Sequence, residues 1–244
     1  MPGLRWWWPH AHVRAADRGE GKGIFVATEY AEIQSKTTAS RSNFIVQRLL
    51  KPHLIGGKKY DLRTYVLVSQ FQPLQCHFYH EGIVRFAANE YESKGKEDGR
   101  SRWMTNTYFN KKFASVDDLT WTFKRLMDTL AADGVDTNQL MANMKSAIVS
   151  TLLTMEPAAM NHLRNEIKTP CDGCYQLLGV DVMLGHDLTA KVIEINGIPS
   201  MQLGQKQGGL KAGAAISAYT QLKINVTQDV VAVVTATHVE RAVQ

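Results

Sequence analysis

The segment Gly179–Asn196, GVDVMLGHDLTAKVIEIN, constrains this chain more than any other part of it. Two apolar stretches flank Gly-His-Asp-Leu-Thr, a composition that favours a turn, so a β-hairpin is expected. With the turn centred between Asp187 and Leu188, Asp181 lies opposite Glu194 and Gly179 opposite Asn196. Side chains alternate across a strand, which puts Asp181, Glu194 and Asn196 on one face. Val180, Val182, Ile193 and Ile195 make the other, a core face. Two carboxylates facing each other at about 5 Å between Cβ atoms repel unless a cation lies between them. Two carboxylates and an amide are hard oxygen donors suited to Mg²⁺, which takes few protein ligands and completes its shell with water and phosphate. The competing reading is a pair of rim carboxylates on a solvated sheet face. Gly179 leaves room beside Asn196.

A second polar pattern lies upstream. In Lys59-Tyr60-Asp61-Leu62-Arg63-Thr64, the residues Lys59, Asp61 and Arg63 alternate on one face, and Tyr60, Leu62, Thr64, Val66 and Val68 on the other. A guanidinium fork and a point-charge ammonium on one face suit phosphates or a carboxylate. The plain alternative is a surface ion-pair ladder of little energetic weight. Asp61 is placed to orient Arg63, and Arg85 on the next strand is placed to join them. Ile55-Gly56-Gly57 reads as a tight turn or a close backbone approach. Gly19, Gly21 and Gly23 in RGEGKGI offer backbone N–H groups to phosphates. A strand follows them, so they match neither a P-loop nor a strand-to-helix dinucleotide fingerprint.

The order of elements sets the class. Strands are expected at Ile24–Ala27, 44–50 and 60–71, and at 74–79 and 83–86 on either side of a turn at 80–82. The run 92–102, ESKGKEDGRSR, reads as a charged loop. Leu119, Phe123, Leu126, Met127 and Leu130 fall at helical spacing, as do Leu140, Met144, Ile148, Leu152 and Met155. Pro157 and Pro170 are expected to bracket the end of the second helix and the loop after it. Strands follow at 175–184 and 191–195, then a helical segment after Ile216. Strands, helices and strands again in one chain predict an α+β fold of antiparallel sheets with packed helices.

Composition narrows the partners. No run of eighteen apolar residues occurs, so no membrane-spanning helix is expected. Three cysteines cannot build a disulfide framework, which makes a reducing compartment the default; the lone Cys171-Cys174 pair is not promoted to a zinc or redox site. Residues 1–125 hold 20 of the 28 Lys and Arg but 12 of the 23 Asp and Glu. That basic half points to a polyanionic partner. No recognised nucleic-acid reading motif accompanies it. Residues 1–18, beginning MPGLRWWWPHAH, lack the pattern of a secretory signal and read as a leader without regular structure.

In order along the chain, GEGKGIFV, IVQRLLKPHLIGGKKYDLRTYVLV, EGIVRF, Thr105-Asn106, QLLGVDVML and KVIEINGIPSM resemble the tubulin–tyrosine ligase-like family, nearest its polyglutamylase branches. The resemblance covers about residue 19 to 234. It implies an ATP-grasp-like domain over 19–236, with the N-terminal lobe cut away, a leader over 1–18 and a tail over 237–244. It also implies ATP and Mg²⁺ as cofactors. Asp181, Glu194 and Asn196 fall at the family's metal positions. Lys59, Arg63 and Arg85 fall at catalytic ones, and Gly21, Gly23, Gln47, Arg48, Leu49, Leu50, Lys59, Asp61 and Asn106 at nucleotide-binding ones.

The implied activity is addition of free glutamate to glutamate side chains of acidic tubulin C-terminal tails through an acyl phosphate. Such a protein works in the cytoplasm on the cytoskeleton, including the cilium or flagellum axoneme and basal body. Lys94, Lys96, Arg100, Arg102, Lys111 and Lys112 would attract the tails. Two departures open an alternative. Arg14 stands where the family has lysine, and Trp103 where it has the histidine of His-Leu-Thr-Asn. A microtubule-associated pseudoenzyme without turnover is therefore the second expectation, and a ligase adding glycine or tyrosine a third.

Overall fold

The computed structural model describes residues 11–15, 24–27, 29–38, 43–91, 100–110, 112–167, 174–203 and 216–242. The chain divides into two compact units, Met1–Tyr60 with Phe86–Leu119, and Asp61–Arg85 with Thr120–Gln244. The architecture is α+β, as expected.

In the first unit, β1 (Ala11–Ala15) is the middle strand of an antiparallel sheet, between β2 (Ile24–Ala27) and β3 (Phe44–Arg48). These five residues fall inside the stretch 1–18 expected to lack regular structure. Val13 explains their order: it is fully buried, with Ala27, against Ile33 of α1 (Tyr30–Thr37), and Phe25 and Phe44 close the cluster. Hydroxyls of Thr37 and Thr38 donate to the carbonyls of Ile33 and Gln34, taking up main-chain acceptors at the end of α1. After β3, the two-residue strand β4 (Leu54–Ile55) turns through Gly56-Gly57 to pair with Lys58 and Lys59. Two short helices, α2 (Arg100–Trp103) and α3 (Thr107–Asn110), follow later in the chain.

The second unit is built on a sheet ordered β7 (Thr120–Thr122), β6 (Leu74–Phe86), β5 (Lys58–Phe71), β8 (Gln176–Leu184), β9 (Ala190–Asn196). Three helices accompany it: α4 (Phe123–Ala132), α5 (Thr137–His162) and α6 (Ala218–Ala242). The helical stripes are core, since Phe123, Leu126, Leu130, Leu140, Met144, Ile148 and Leu152 are all buried. On the other face, α6 brings Leu222 and Val226 onto Tyr65 and Ile83.

Four expectations need correction. The turn at 80–82 does not exist, because β6 runs unbroken from Leu74 to Phe86. Gly82 is there for close packing: a Cβ would strike the Phe123 ring and stand 2.7 Å from the Arg63 carbonyl. Leu119 is buried but precedes its helix, and its carbonyl accepts the Phe86 N–H at 2.8 Å. The helix begins at Phe123 because its first amides are satisfied there. Thr122 Oγ1 accepts from Arg125 N, and the Glu81 carboxylate accepts from Phe123 N and Lys124 N at 3.2 Å each. Finally, α5 continues through Pro157 to His162 and ends in a π-turn, Leu163–Ile167. Four buried residues upstream hold that helix, so one missing N–H does not end it. Met155, expected in its core stripe, is 43% exposed.

Candidate active site

Strand order brings the two polar patterns together. β5 lies beside β8, with Arg63 directly opposite Asp181 and Tyr65 opposite Gly179. β6 flanks β5 on its other side and carries Arg85. Away from the turn the hairpin pairs are those expected, with Asp181 facing Glu194 and Gly179 facing Asn196, whereas the turn itself is centred on Asp187 and not between Asp187 and Leu188.

Closer to the turn the ladder shifts by one residue, with Val182 opposite Val192, so Ile193 is a bulge. That corrects its place on the core face, since Ile193 is 38% exposed. The extra residue accommodates the 185–189 turn, where Leu188 has a φ of 61° and Gly185 N donates to Thr189 O. Beyond the bulge, Glu194 and Asn196 keep the face of Asp181.

The charges form one connected network. Arg63 Nε donates to Asp181 Oδ1, and its Nη2 reaches Oδ2 at 3.1 Å. Arg85 Nε donates to Asp61 Oδ1 at 2.9 Å and its Nη2 to Asp61 Oδ2. The same Nη2 lies 2.9 Å from Asp181 Oδ2. Asp61 therefore orients Arg85, not Arg63 as expected, and Asp181 is the carboxylate that holds both arginines. All four side chains are nearly sequestered.

Burial alone would raise the Asp181 carboxyl, but the charges and hydrogen bonds of Arg85 and Arg63 overcome it and hold it below 3.8. Burial likewise opposes the charge of Arg85, and Asp61 and Asp181 overcome it and raise its pKa. Burial pushes the Tyr65 phenol up to about 12, against the pull of Arg63. Gly179 does not leave room beside Asn196. Pro199 fills the space, and a Cβ there would stand 2.8 Å from Pro199 Cβ and 3.3 Å from Arg63 Cδ.

The oxygen donors fit a hard divalent cation. Each carboxylate oxygen can accept about two hydrogen bonds, and Asp181 Oδ1 has accepted one. Glu194 is exposed, and its carboxylate has no hydrogen-bond or ion-pair partner among the described residues. Asn196 donates Nδ2 to the Gly179 carbonyl at 3.4 Å, which leaves its amide oxygen available. No group of three or more His, Cys, Asp or Glu able to hold a metal ion exists among the described residues, so a third protein ligand at this hairpin would be the Asn196 amide. Two guanidiniums against Asp61, Asp181 and Glu194 leave one net negative charge, and Mg²⁺ complements it.

The remaining site candidates lie in the first unit or outside the described residues. Gly21 and Gly23 fall outside them, as do Lys94, Lys96 and Lys111. Gln47, Arg48 and Leu50 are exposed and Leu49 is half-buried. Lys59 donates Nζ to the main-chain carbonyl of Trp103 at 2.9 Å. The acceptor is a main-chain carbonyl, so this contact does not depend on the identity of the side chain at position 103. The Asn106 carbonyl accepts Phe109 N and Asn110 N, at the start of α3.

Sequence reasoning missed two residues near the hairpin. Gln176 binds the Gly197 carbonyl, and Lys223 binds that of Gln202. For Lys223 the available signal was a lysine at a core position of α6.

The antiparallel sheet that sets arginines against a carboxylate–amide hairpin belongs to an α+β, ATP-grasp-like domain. The sequence model of the Tubulin-tyrosine ligase family matches residues 7–237, and the chain belongs to that family. Human tubulin monoglutamylase TTLL4 is 32% identical over 200 residues, covering 78% of this chain and 16% of that protein. Tubulin polyglutamylase ttll-5 of Caenorhabditis elegans is 30% identical over 202 residues, 78% of this chain and 27% of its own length. A probable beta-tubulin polyglutamylase of Tetrahymena thermophila is 28% identical over 200 residues, 74% and 16% respectively. The chain thus spans only 16% to 27% of the length of these relatives. Among the described residues, no helix is long and apolar enough to cross a membrane.

Proposed function

We propose that this chain carries the ligase centre of an ATP- and Mg²⁺-dependent enzyme that joins glutamate to glutamate side chains in tubulin C-terminal tails, on the cytoskeleton. The observation behind the reading is the Asp61–Arg85–Asp181–Arg63 network, one position from the exposed Glu194 on the same sheet face. Membership of the family supports it, as do relatives named for glutamylation.

In this reaction the acceptor carboxylate takes the γ-phosphoryl group, giving an acyl phosphate and ADP. The amine of glutamate then displaces phosphate and loses a proton, forming an isopeptide bond. Such chemistry asks the protein for positioning and charge stabilisation. Arg63 and Arg85 are fixed through Nε and Nη2 before any ligand arrives, so what they would offer developing negative charge without reorganisation is their positive charge and the Nη1 donors. Asp181, Glu194 and Asn196 would hold Mg²⁺, which neutralises phosphate charge when bound. Lys59, directed by the Trp103 carbonyl, supplies a point charge for phosphate. Gly21 and Gly23 would cover phosphates, Gln47 to Leu50 and Asn106 would line the nucleotide, and the basic stretch through Arg100, Arg102 and Lys112 would draw in acidic tails.

Two features favour binding without turnover: Arg63 and Arg85 are both already engaged by carboxylates, and β1 carries Arg14 where the resemblance implies lysine. Incubation with tubulin, labelled glutamate and Mg-ATP separates the readings. Incorporation that Glu194→Gln abolishes supports the ligase. No incorporation, with intact co-pelleting on microtubules, sinks it in favour of a microtubule-binding protein. Labelled glycine or tyrosine in parallel reads the amino-acid choice.

A further inference from the structure

The segment that follows Asn196 is clasped at both ends by polar side chains from other elements. At its start, Gln176, the first residue of β8, donates Nε2 to the main-chain carbonyl of Gly197 and, at 3.0 Å, to that of Leu177. At its end, Lys223 of α6 donates Nζ to the carbonyl of Gln202 at 2.9 Å. Between these points Pro199 is buried against Gly179, and Met201 packs on the cluster of Tyr65, Ile83, Leu222 and Val226. Ile198 is the contrast, 94% exposed on a stretch otherwise held down.

Lys223 is an expensive way to hold a loop. Its residue surface is 3% exposed, and no acidic side chain among the described residues pairs with it. The Tyr219 ring lies 4.5 Å from its ammonium and offers a cation–π contact. A methionine would fill the same space beside Leu222 and Val226 without burying a charge, and a buried charge without a counter-ion is disfavoured. The ammonium does what methionine cannot: it donates a charge-assisted hydrogen bond to a carbonyl six residues past Asn196.

We infer that Lys223 and Gln176 are positioning residues, whose clasp on residues 197–202 sets the path by which Asn196 leaves β9. That path fixes the presentation of the Asn196 amide beside Glu194. Released at either end, the segment lets Asn196 swing, and the oxygen set loses its third member. This inference rests on the proposed divalent-metal role of Asp181, Glu194 and Asn196.

Manganese is the probe, titrated into the protein with ADP and read by loss of the free-ion paramagnetic resonance signal. Lys223→Met and Gln176→Leu should each raise the half-saturating Mn²⁺ concentration about tenfold, the scale of losing support around a metal ligand. Lys223→Arg, which keeps charge and donor, should bind near the wild-type value. Lys223→Met binding Mn²⁺ as tightly as wild type overturns the inference. If Lys223→Met does not fold, Gln176→Leu takes its place: a tenfold rise supports the clasp, and wild-type affinity overturns it. A wild-type protein that takes up no Mn²⁺ with ADP would instead remove the metal reading, and hydrogen exchange then judges the clasp alone. Amides of Ile198 and of residues 200–203 exchanging about tenfold faster in the variants support it, and unchanged exchange overturns it.

Discussion

The two units carry their candidate site residues in opposite ways. In the second unit Asp61, Arg63, Arg85 and Asp181 are locked into a nearly buried network on three neighbouring strands. In the first unit Gln47, Arg48 and Leu50 stand exposed at and beyond the end of β3, a strand paired with β1 alone among the described residues. The difference is one of preorganisation. Under the proposed function, the groups that would meet developing charge are fixed by their own counter-ions, whereas the groups that would line a nucleotide stand at the surface. Buried ion networks contribute little net stability, but removing one member strands its partners, so the second unit is the brittle one.

That contrast can be broken first at Arg85. Arg85→Met leaves Asp61 and Asp181 buried without their shared cation, and urea unfolding should show a loss of about 3–5 kcal/mol. Gln47→Ala and Arg48→Ala should stay within about 0.5 kcal/mol of wild type. Equal losses in both units would erase the distinction. Gly82→Ala should cost about 1–3 kcal/mol, because a Cβ has to displace the Phe123 ring or the Arg63 backbone.

A weaker but cleaner signature is pH. Asp181 has a depressed pKa, so its stabilisation is fully present above 3.8 and is lost as pH falls through the lower folded value. The second unit should therefore weaken on the acid side of 3.8, and Asp181→Asn should remove that portion of the acid limb. An unaltered acid limb in the variant would show that the network does not titrate with Asp181. Lys59→Met, which loses the hydrogen bond to the Trp103 carbonyl, should cost about 1.5–3 kcal/mol, the range for a hydrogen bond from a charged donor.

How much of this is legible in the sequence depends on where the information lies. Turn chemistry and strand alternation, both local, predict the pair of Asp181 with Glu194, and it forms, but only beyond a bulge: the turn-side register continued unbroken would set Asp181 opposite Ile193. The bulge at Ile193 is not local, since it reconciles that register with a turn in which Leu188 takes a left-handed conformation. Gly82 misleads in the same way. Beside His80 and Glu81 a glycine reads as a turn, yet its cause is the ring of Phe123, some forty positions away in the chain.

Which carboxylate meets which arginine is likewise a property of strand order. Nothing in Lys-Tyr-Asp-Leu-Arg says that β8 will lie beside it, so the sequence pairs Asp61 with Arg63 when its partner is Arg85. Lys223 is invisible for a related reason. A lysine at a core position of a helix declares its role only once the carbonyl it meets is known.

Glu194 and Asn196 are proposed to present oxygens to a divalent ion beside a network already closed by Asp181. Calorimetric titration with a non-hydrolysable ATP analogue, with and without Mg²⁺, tests this most directly in wild type and Glu194→Gln. Wild type should bind in a Mg²⁺-dependent way, and Glu194→Gln about tenfold or more weakly at unchanged thermal stability. Binding that ignores Mg²⁺, or that Glu194→Gln leaves as tight as wild type, would contradict it.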